Sequence, residues 1–241
     1  MPLKSIKAID RALCVIHMHT LELFQSLLRL AGIVASLCFV LPFWSHYQRA
    51  IYYSRALRYY ILAWSIRLFQ RLPKYCSILQ YCSDILKEDS CHHIIYCLIM
   101  SNTMPMTIVV FPMGLYASLQ LTSFLSQLIL PYTNKFTVQI RPIITKILIH
   151  QREILRAIAL CELLLFPILI FCAFTKRAAL FTPIGYYNFI RLRYNSKRNP
   201  YTRETVSSLM NLARIKINTP ACPSQIKSYG NSILDFISNR L

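Results

Sequence analysis

Two groups of residues in this 241-residue chain are of types that do chemistry. One is Cys91-His92-His93, with Cys82 and Cys97 nearby, a set that suggests a metal at first sight. Zinc sites pair their ligands at short, regular spacings, and these spacings match none of them. Buried thiols that behave as small hydrophobes are the commoner case. The other is Glu162, the one acid inside a long apolar stretch at about residues 154–175. A charged side chain at the centre of a membrane helix costs about 2.5–3.5 kcal/mol on insertion scales, so it needs a partner or a function. The sequence offers Arg156, nearly two turns earlier, and Arg29 on an earlier apolar segment; a protonated acid bonded to a neighbouring helix is the alternative. No nucleophile–base arrangement or paired carboxylates can be read, and four glycines exclude a glycine-rich phosphate loop. The expectation is no catalytic residue, no cofactor and no metal.

The elements that position these residues belong to a membrane protein. Residues 90–134 form a run of 45 without Lys, Arg, Asp or Glu, although the chain carries a net charge of +18. At ~1.5 Å per residue and a hydrocarbon core of ~30 Å, that run suffices for one generous span or two tight ones. Apolar residues make up 55% of the chain and are gathered in blocks, which a soluble domain would not require. The 27 Lys and Arg against 9 Asp and Glu suit anionic lipid headgroups. No finger, helix-turn-helix or stacking motif points to nucleic acid. The nine cysteines are scattered and form no legible disulfide framework, and no cleavable signal peptide is evident.

The chain divides into a polar or amphipathic segment (1–26), a transmembrane helical region with interfacial helices (27–190) and a basic tail (191–241). The first span covers about residues 27–44, with Trp44 and Tyr47 as interfacial aromatics. Residues 49–71 mix Arg49, Arg55, Arg58, Arg67 and Arg71 with Tyr and Trp, leave too short a gap to span, and read as an interfacial helix ended by Pro73. Acids at Glu88 and Asp89, with Ser90 as N-cap, precede the long run. Within it, Asn102, Pro105, Pro112 and Gly114 predict either one kinked span or a helical hairpin. Residues 135–153 read as a polar connector, 154–175 as the last span around Pro167, and 178–190 as an interfacial stretch. Three crossings put 18 of the 27 basic residues on one side, whereas four split them 12 to 15. The positive-inside rule therefore favours three spans over four, with residues 46–90 and the tail cytosolic.

In the tail, Asn199-Pro200 reads as an N-cap followed by a first-turn proline. Val206, Leu209, Met210, Ala213 and Ile217 then recur at helical spacing, residues 220–223 break the pattern, and Ile226, Tyr229, Ile233 and Ile237 begin another. Two readings stay open for this pair of amphipathic helices. They contact membrane or a partner through residues such as Arg203, Leu209, Met210, Arg214 and Lys216, or they pack on each other and on the bundle.

Several segments resemble the transmembrane protein 33 family, also known as Krüppel homologue 2, with fungal pore-membrane relatives. The matching pieces are Gln70-Arg71-Leu72-Pro73, Glu88-Asp89-Ser90-Cys91-His92, Phe111-Pro112, Glu162 with Pro167, and Pro220-Ala221-Cys222-Pro223. Most specific is the run Tyr186-Tyr187-x-Phe189-x-x-Leu192-Arg193-Tyr194-x-Ser196-x-Arg198-Asn199-Pro200-Tyr201. The resemblance spans about residues 27–223. It implies an all-α polytopic protein of the endoplasmic reticulum and nuclear envelope, linked to reticulon-type membrane proteins, tubule shape and the unfolded-protein response. In fungi the family is linked to nuclear pore assembly, and C-terminal amphipathic helices bind membrane and a nuclear import receptor. The resemblance carries over no catalytic residue. Two functions follow as expectations: a non-enzymatic organiser of membrane shape or pore assembly that contacts anionic or curved lipid, or a small channel or transporter built on Glu162.

Overall fold

A computed structural model of the chain describes residues 2–72, 78–129, 135–196, 198–219 and 224–240, all α-helices and their turns apart from one isolated backbone bridge, Thr103 with Ala178. With no internal proline, α1 runs unbroken over Pro2–Val40, so the polar first segment and the first span form one helix. Three stretches are long and apolar enough to cross a membrane: Thr20–Val40 in α1, Thr107–Leu128 in α5 and Gln151–Phe174 in α7. The three expected spans are thus present, with the central one lying wholly after Pro105.

Each of the three is accompanied by a helix that returns beside it. Ser45 caps α2 (His46–Arg71) through a capping box with Gln48, which reverses the chain just after Trp44. The α2 helix then runs antiparallel along α1: Arg49 Nε donates to the Phe39 carbonyl at 2.9 Å near one end, and Gln25 meets Gln70 at 2.7 Å near the other. Midway, Gly32 lets the Tyr60 ring press against the α1 backbone. A Cβ there would lie 2.5 Å from a ring carbon, and the Tyr60 and Ser36 hydroxyls hydrogen-bond at 2.8 Å. Residues 49–71 were expected in the membrane plane. They stand against α1 instead, because Tyr53, Ala56, Leu57, Tyr60, Ala63 and Trp64 form a buried face at helical spacing while Arg55 and Arg58 point outward.

The long uncharged run turns back on itself as the hairpin reading has it, but only its second arm, Thr107–Leu128, is long and apolar enough to cross a membrane. After α3 (Ile78–Lys87), α4 (Asp89–Ser101) ends at Asn102, residues 102–106 turn at Pro105, and α5 (Thr107–Ile129) comes back with Pro112 inside it. Ser90 is not the cap of α4. The cap lies two residues earlier, at Glu88, and the Ser90 hydroxyl has no hydrogen-bond partner among the described residues. The expected polar connector forms a helix, α6 (Lys135–Ile149), and α7 (Gln151–Phe174) follows at once. At the end of α7, Lys176 takes a left-handed conformation (φ 58°) and the Arg177 amide donates to the Cys172 carbonyl at 2.8 Å. The chain then reverses into α8 (Thr182–Tyr194), which packs back along α7 with Tyr186, Phe189 and Ile190 buried, rather than lying in the interface.

The three reversals meet at one end of the molecule. Thr103 bridges Ala178, the Tyr53 hydroxyl donates to the Met100 carbonyl at 3.0 Å, and Val40 shares a cleft with Thr107. At the opposite end lie Gln25, Arg71, Asp89, Gln127, Gln151 and Arg198. Basic segments that the charge count had assigned to opposite sides therefore gather at one end, since each span is paired with a returning helix. Two tail helices complete the fold, α9 (Tyr201–Ile217) on α7 and α10 (Ser224–Arg240) on α9. The α9 N-cap position is Pro200, not Asn199, and residues 220–223 lie outside the described residues.

Candidate functional site

Inward from the polar end, the start of α4, the middle of α7 and the end of α8 bring a buried guanidinium between two carboxylates. Arg193, only 1% exposed, points Nε at Glu162 Oε2 (3.4 Å) and Nη1 at Asp89 Oδ1 (3.6 Å), while Nη2 donates to the Tyr116 hydroxyl. With its amide oxygen turned inward, Asn199 accepts from Arg193 Nη2 at 2.6 Å and from Tyr116 at 3.1 Å. Burial works against the Arg193 charge, but Glu162, Tyr116 and Asp89 outweigh it and raise its pKa above the ordinary arginine value. The partner of Glu162 is thus neither Arg156 nor Arg29. Arg156 reaches Glu204 of α9 at 3.3 Å, and Arg29 donates to Gln25 at 2.9 Å.

A second layer surrounds this pair. Ser196 donates to Asp89 at 2.8 Å, and Glu88 accepts from Arg198 at 2.6 Å with Arg71 on its other side at 3.8 Å. The Tyr186 hydroxyl donates to the Glu162 backbone carbonyl at 2.8 Å. His93 stacks on Trp64 with ring centroids 4.0 Å apart and meets Tyr116 edge-on at 4.4 Å. Burial, then the Arg193 charge, hold the His93 pKa well below the usual imidazole value, so the ring is neutral. His92 is likewise depressed by burial, and its Nε2 lies 2.7 Å from the Leu86 carbonyl. Among the described residues no three His, Cys, Asp or Glu side chains converge where a metal ion would sit. Cys91 and Cys97 are buried thiols.

Of the residues singled out in the sequence, Tyr186, Arg193, Arg198 and Asn199 stand in or beside this network, and Glu162 is its second carboxylate. Tyr187 lies off it, tilted against Phe166, and Pro200 is exposed. Tyr194 is half-buried and Tyr201 lines a cavity at the polar end. The tail residues do not form one site. Arg203, Leu209 and Lys216 are exposed, Met210 is half-buried, and Arg214 pairs with Asp235 at 2.5 Å. Sequence reasoning missed Asp89, Tyr116 and Ser196 as members of the network. The first was read as a helix-start acid, and Tyr116 sits in an apolar run where nothing marks its hydroxyl as partnered.

The geometry defines an all-α polytopic membrane protein whose helices are tied together by a buried ionic network. The family model for transmembrane protein 33/nucleoporin POM33 matches residues 5–241, and the chain belongs to that family. That match extends beyond the 27–223 expected from motifs alone. The chain is 34% identical to human "Transmembrane protein 33" over 210 residues, covering 87% of this chain and 85% of the relative. It is 34% identical to Drosophila melanogaster "Krueppel homolog 2" over 182 residues (76% and 65%) and 26% identical to a Caenorhabditis elegans "Transmembrane protein 33 homolog" over 224 residues (92% and 82%). No solved structure matches the chain.

Proposed function

We propose that this protein organises endoplasmic reticulum and nuclear-envelope membrane, as a non-enzymatic scaffold whose tail helices lie on the anionic or curved cytosolic surface. The nucleoporin in the family's printed name supports a share in nuclear pore organisation. The observation that carries the reading is on α9. Its inner positions Val206, Met210, Ala213 and Ile217 face α7 and α10, while Leu209, Leu212 and Ile215 form a second, outward stripe, the last two 58% and 68% exposed. Both open readings of the tail thus have support, one from each side of the same helix. Lys216 borders the stripe, which suits an apolar strip in the headgroup layer with cations beside anionic lipid.

The cytosolic orientation rests on charge. The turns 41–45, 102–106 and 175–181 carry only Lys176 and Arg177 of the 27 basic residues, so the opposite end, with the tail, is the cytosolic one by the positive-inside rule. The partners expected are reticulon-type membrane proteins, pore components and a nuclear import receptor. The channel or transporter alternative draws no support from Glu162, whose carboxylate is engaged by Arg193.

A bromolipid quenching experiment tests the reading. The full chain carrying Leu212→Cys with a fluorophore, in nanodiscs of anionic lipid, is quenched by brominated acyl chains. Unquenched emission, equal to that of an exposed control such as Asn211→Cys, would overturn the membrane contact. In sealed microsomes an impermeant thiol reagent labels Ser207→Cys in an otherwise cysteine-free chain. Labelling only after permeabilisation would reverse the orientation.

A further inference from the structure

Two cavities at the polar end, about 370 and 230 Å³, share Arg67, Arg71, Gln120 and Ser123 and form one groove. Its mouth lies where the three candidate spans begin or end, since Gln25, Gln127 and Gln151 line it, which suits a lipid headgroup, and it reaches inward to Gln120 and Tyr116. Four arginines face it. Arg198 and Arg71 share Glu88, and Arg29 is held by Gln25. Among the described residues Arg67 makes no ion pair within 4 Å; it sits over the Trp64 ring at 5.6 Å. Burial and the neighbouring Arg71 and Arg29 lower its pKa to about 10. The acids that line the groove are Glu22 and Asp89, and Asp89 is already turned to Arg193 and Ser196. Among the described residues Arg67 therefore has no carboxylate of its own, and Arg71 has only a share of Glu88 at 3.8 Å.

The groove also presents buried polar atoms that have no partner among the described residues. The Ser90 hydroxyl and His93 Nε2, on residues 1% and 3% exposed, have none, and neither has Gln120 Oε1. His93 Nδ1 is 2.5 Å from the Asp89 carbonyl and must carry the ring proton, so Nε2 offers a lone pair. An unsatisfied buried acceptor costs about 1–3 kcal/mol, and here two acceptors await a donor. Arginines call for a phosphate, and the acceptors call for hydroxyls on the same molecule.

We propose that this groove binds the phosphorylated polyol headgroup of an anionic lipid, with Arg67 and Arg71 on the phosphate and His93 Nε2 and Gln120 Oε1 accepting from the polyol hydroxyls. Ser90 donates to the same phosphate. The site lies between α1, α2, α4, α5 and residues 198–201, and stands whether or not the tail helices contact membrane.

The test uses the full chain in detergent, titrated by native mass spectrometry with dioctanoyl phosphatidylinositol 4-phosphate, dioctanoyl phosphatidylserine and soluble inositol 1,4-bisphosphate. The phosphoinositide binds at least tenfold tighter than phosphatidylserine. The bisphosphate competes with it but binds more weakly, because it lacks the glycerol and acyl chains. Arg67→Gln with Arg71→Gln lowers phosphoinositide affinity at least tenfold, as expected for the loss of two charge-assisted hydrogen bonds. Gln120→Leu, at a half-buried position, reduces the preference over phosphatidylserine severalfold and decides the matter if the double variant does not fold. Equal binding of the two lipids by the wild-type chain overturns the polyol, and unchanged affinity in the arginine variant overturns the site. Soluble bisphosphate binding as tightly as the lipid overturns the lipid as its source.

Discussion

The two ends of the helical bundle are held by different forces. Inward from the polar end, about half-way along α5 and α7, Arg193 is fixed by two carboxylates, a tyrosine and an amide contributed by four parts of the chain. At the other end the turns carry exposed Phe43, Trp44, Leu180 and Phe181, and the contacts between turns include one backbone bridge and one tyrosine-to-carbonyl bond. Hydrophobic burial is non-directional and tolerates rearrangement, whereas a buried ion is costly unless every partner is in place. The contrast teaches that register among the paired helices is set at the polar end and propagated along them. The apolar end has only to be greasy and short.

The largest expected effect tests that division directly. Arg193→Met leaves Glu162 and Asp89 without their shared cation and destabilises the fold by about 3–5 kcal/mol, read as thermal unfolding in detergent. Adding Glu162→Leu recovers a good part of the loss; a single variant as stable as wild type would erase the distinction between the ends. Next comes the α1–α2 seam between them. Gly32→Ala drives a methyl into the Tyr60 ring and costs about 1–3 kcal/mol. Gly114→Ala, whose added Cβ would sit 3.7 Å from the Tyr60 hydroxyl, is close to neutral in the same assay.

Acidification bears on the polar end alone. His93 is depressed when folded, so the unfolded chain binds a proton first, and stability present above the ordinary imidazole pKa of about 6.5 declines as pH falls below it. His92 acts in the same sense. The melting temperature therefore drops from pH 7 towards pH 5, and His93→Phe, which preserves the ring stack on Trp64, flattens that slope. An unchanged slope in His93→Phe would show that the pH dependence comes from groups other than His93. The smallest effect lies at the apolar end. Lys176→Gly relieves a left-handed backbone at the end of α7 and raises stability by about 1 kcal/mol.

The apolar end was the more legible in the sequence. The last apolar block gave its span to within a few residues, 154–175 against Gln151–Phe174, and the long uncharged run gave a span without its bounds, because burial in lipid demands uninterrupted apolar length. The returning helices were not legible. Arg55 and Arg58 in α2 suggested a helix lying flat, since a count of charges does not show that both face away from the bundle. Glu162 was recognised as needing a partner, but the search stayed near it in sequence or on a predicted span; its cation arrives from 31 positions later on α8. The pieces of the family motif, read separately as 70–73, 88–92 and 186–201, are coherent in space. Arg71 and Arg198 flank Glu88, and Asp89 meets both Arg193 and Ser196.

The clustering of the three reversals has a consequence for biogenesis. In the orientation proposed above, each reversal presents only a turn of a few residues to the far side of the bilayer, so no hydrophilic domain has to be carried across. Among these turns just Lys176 and Arg177 bear charge. The first two loops bring no charged residue in their turns, and the third carries both cations at its leading edge, which makes the α7–α8 loop the costly one to thread.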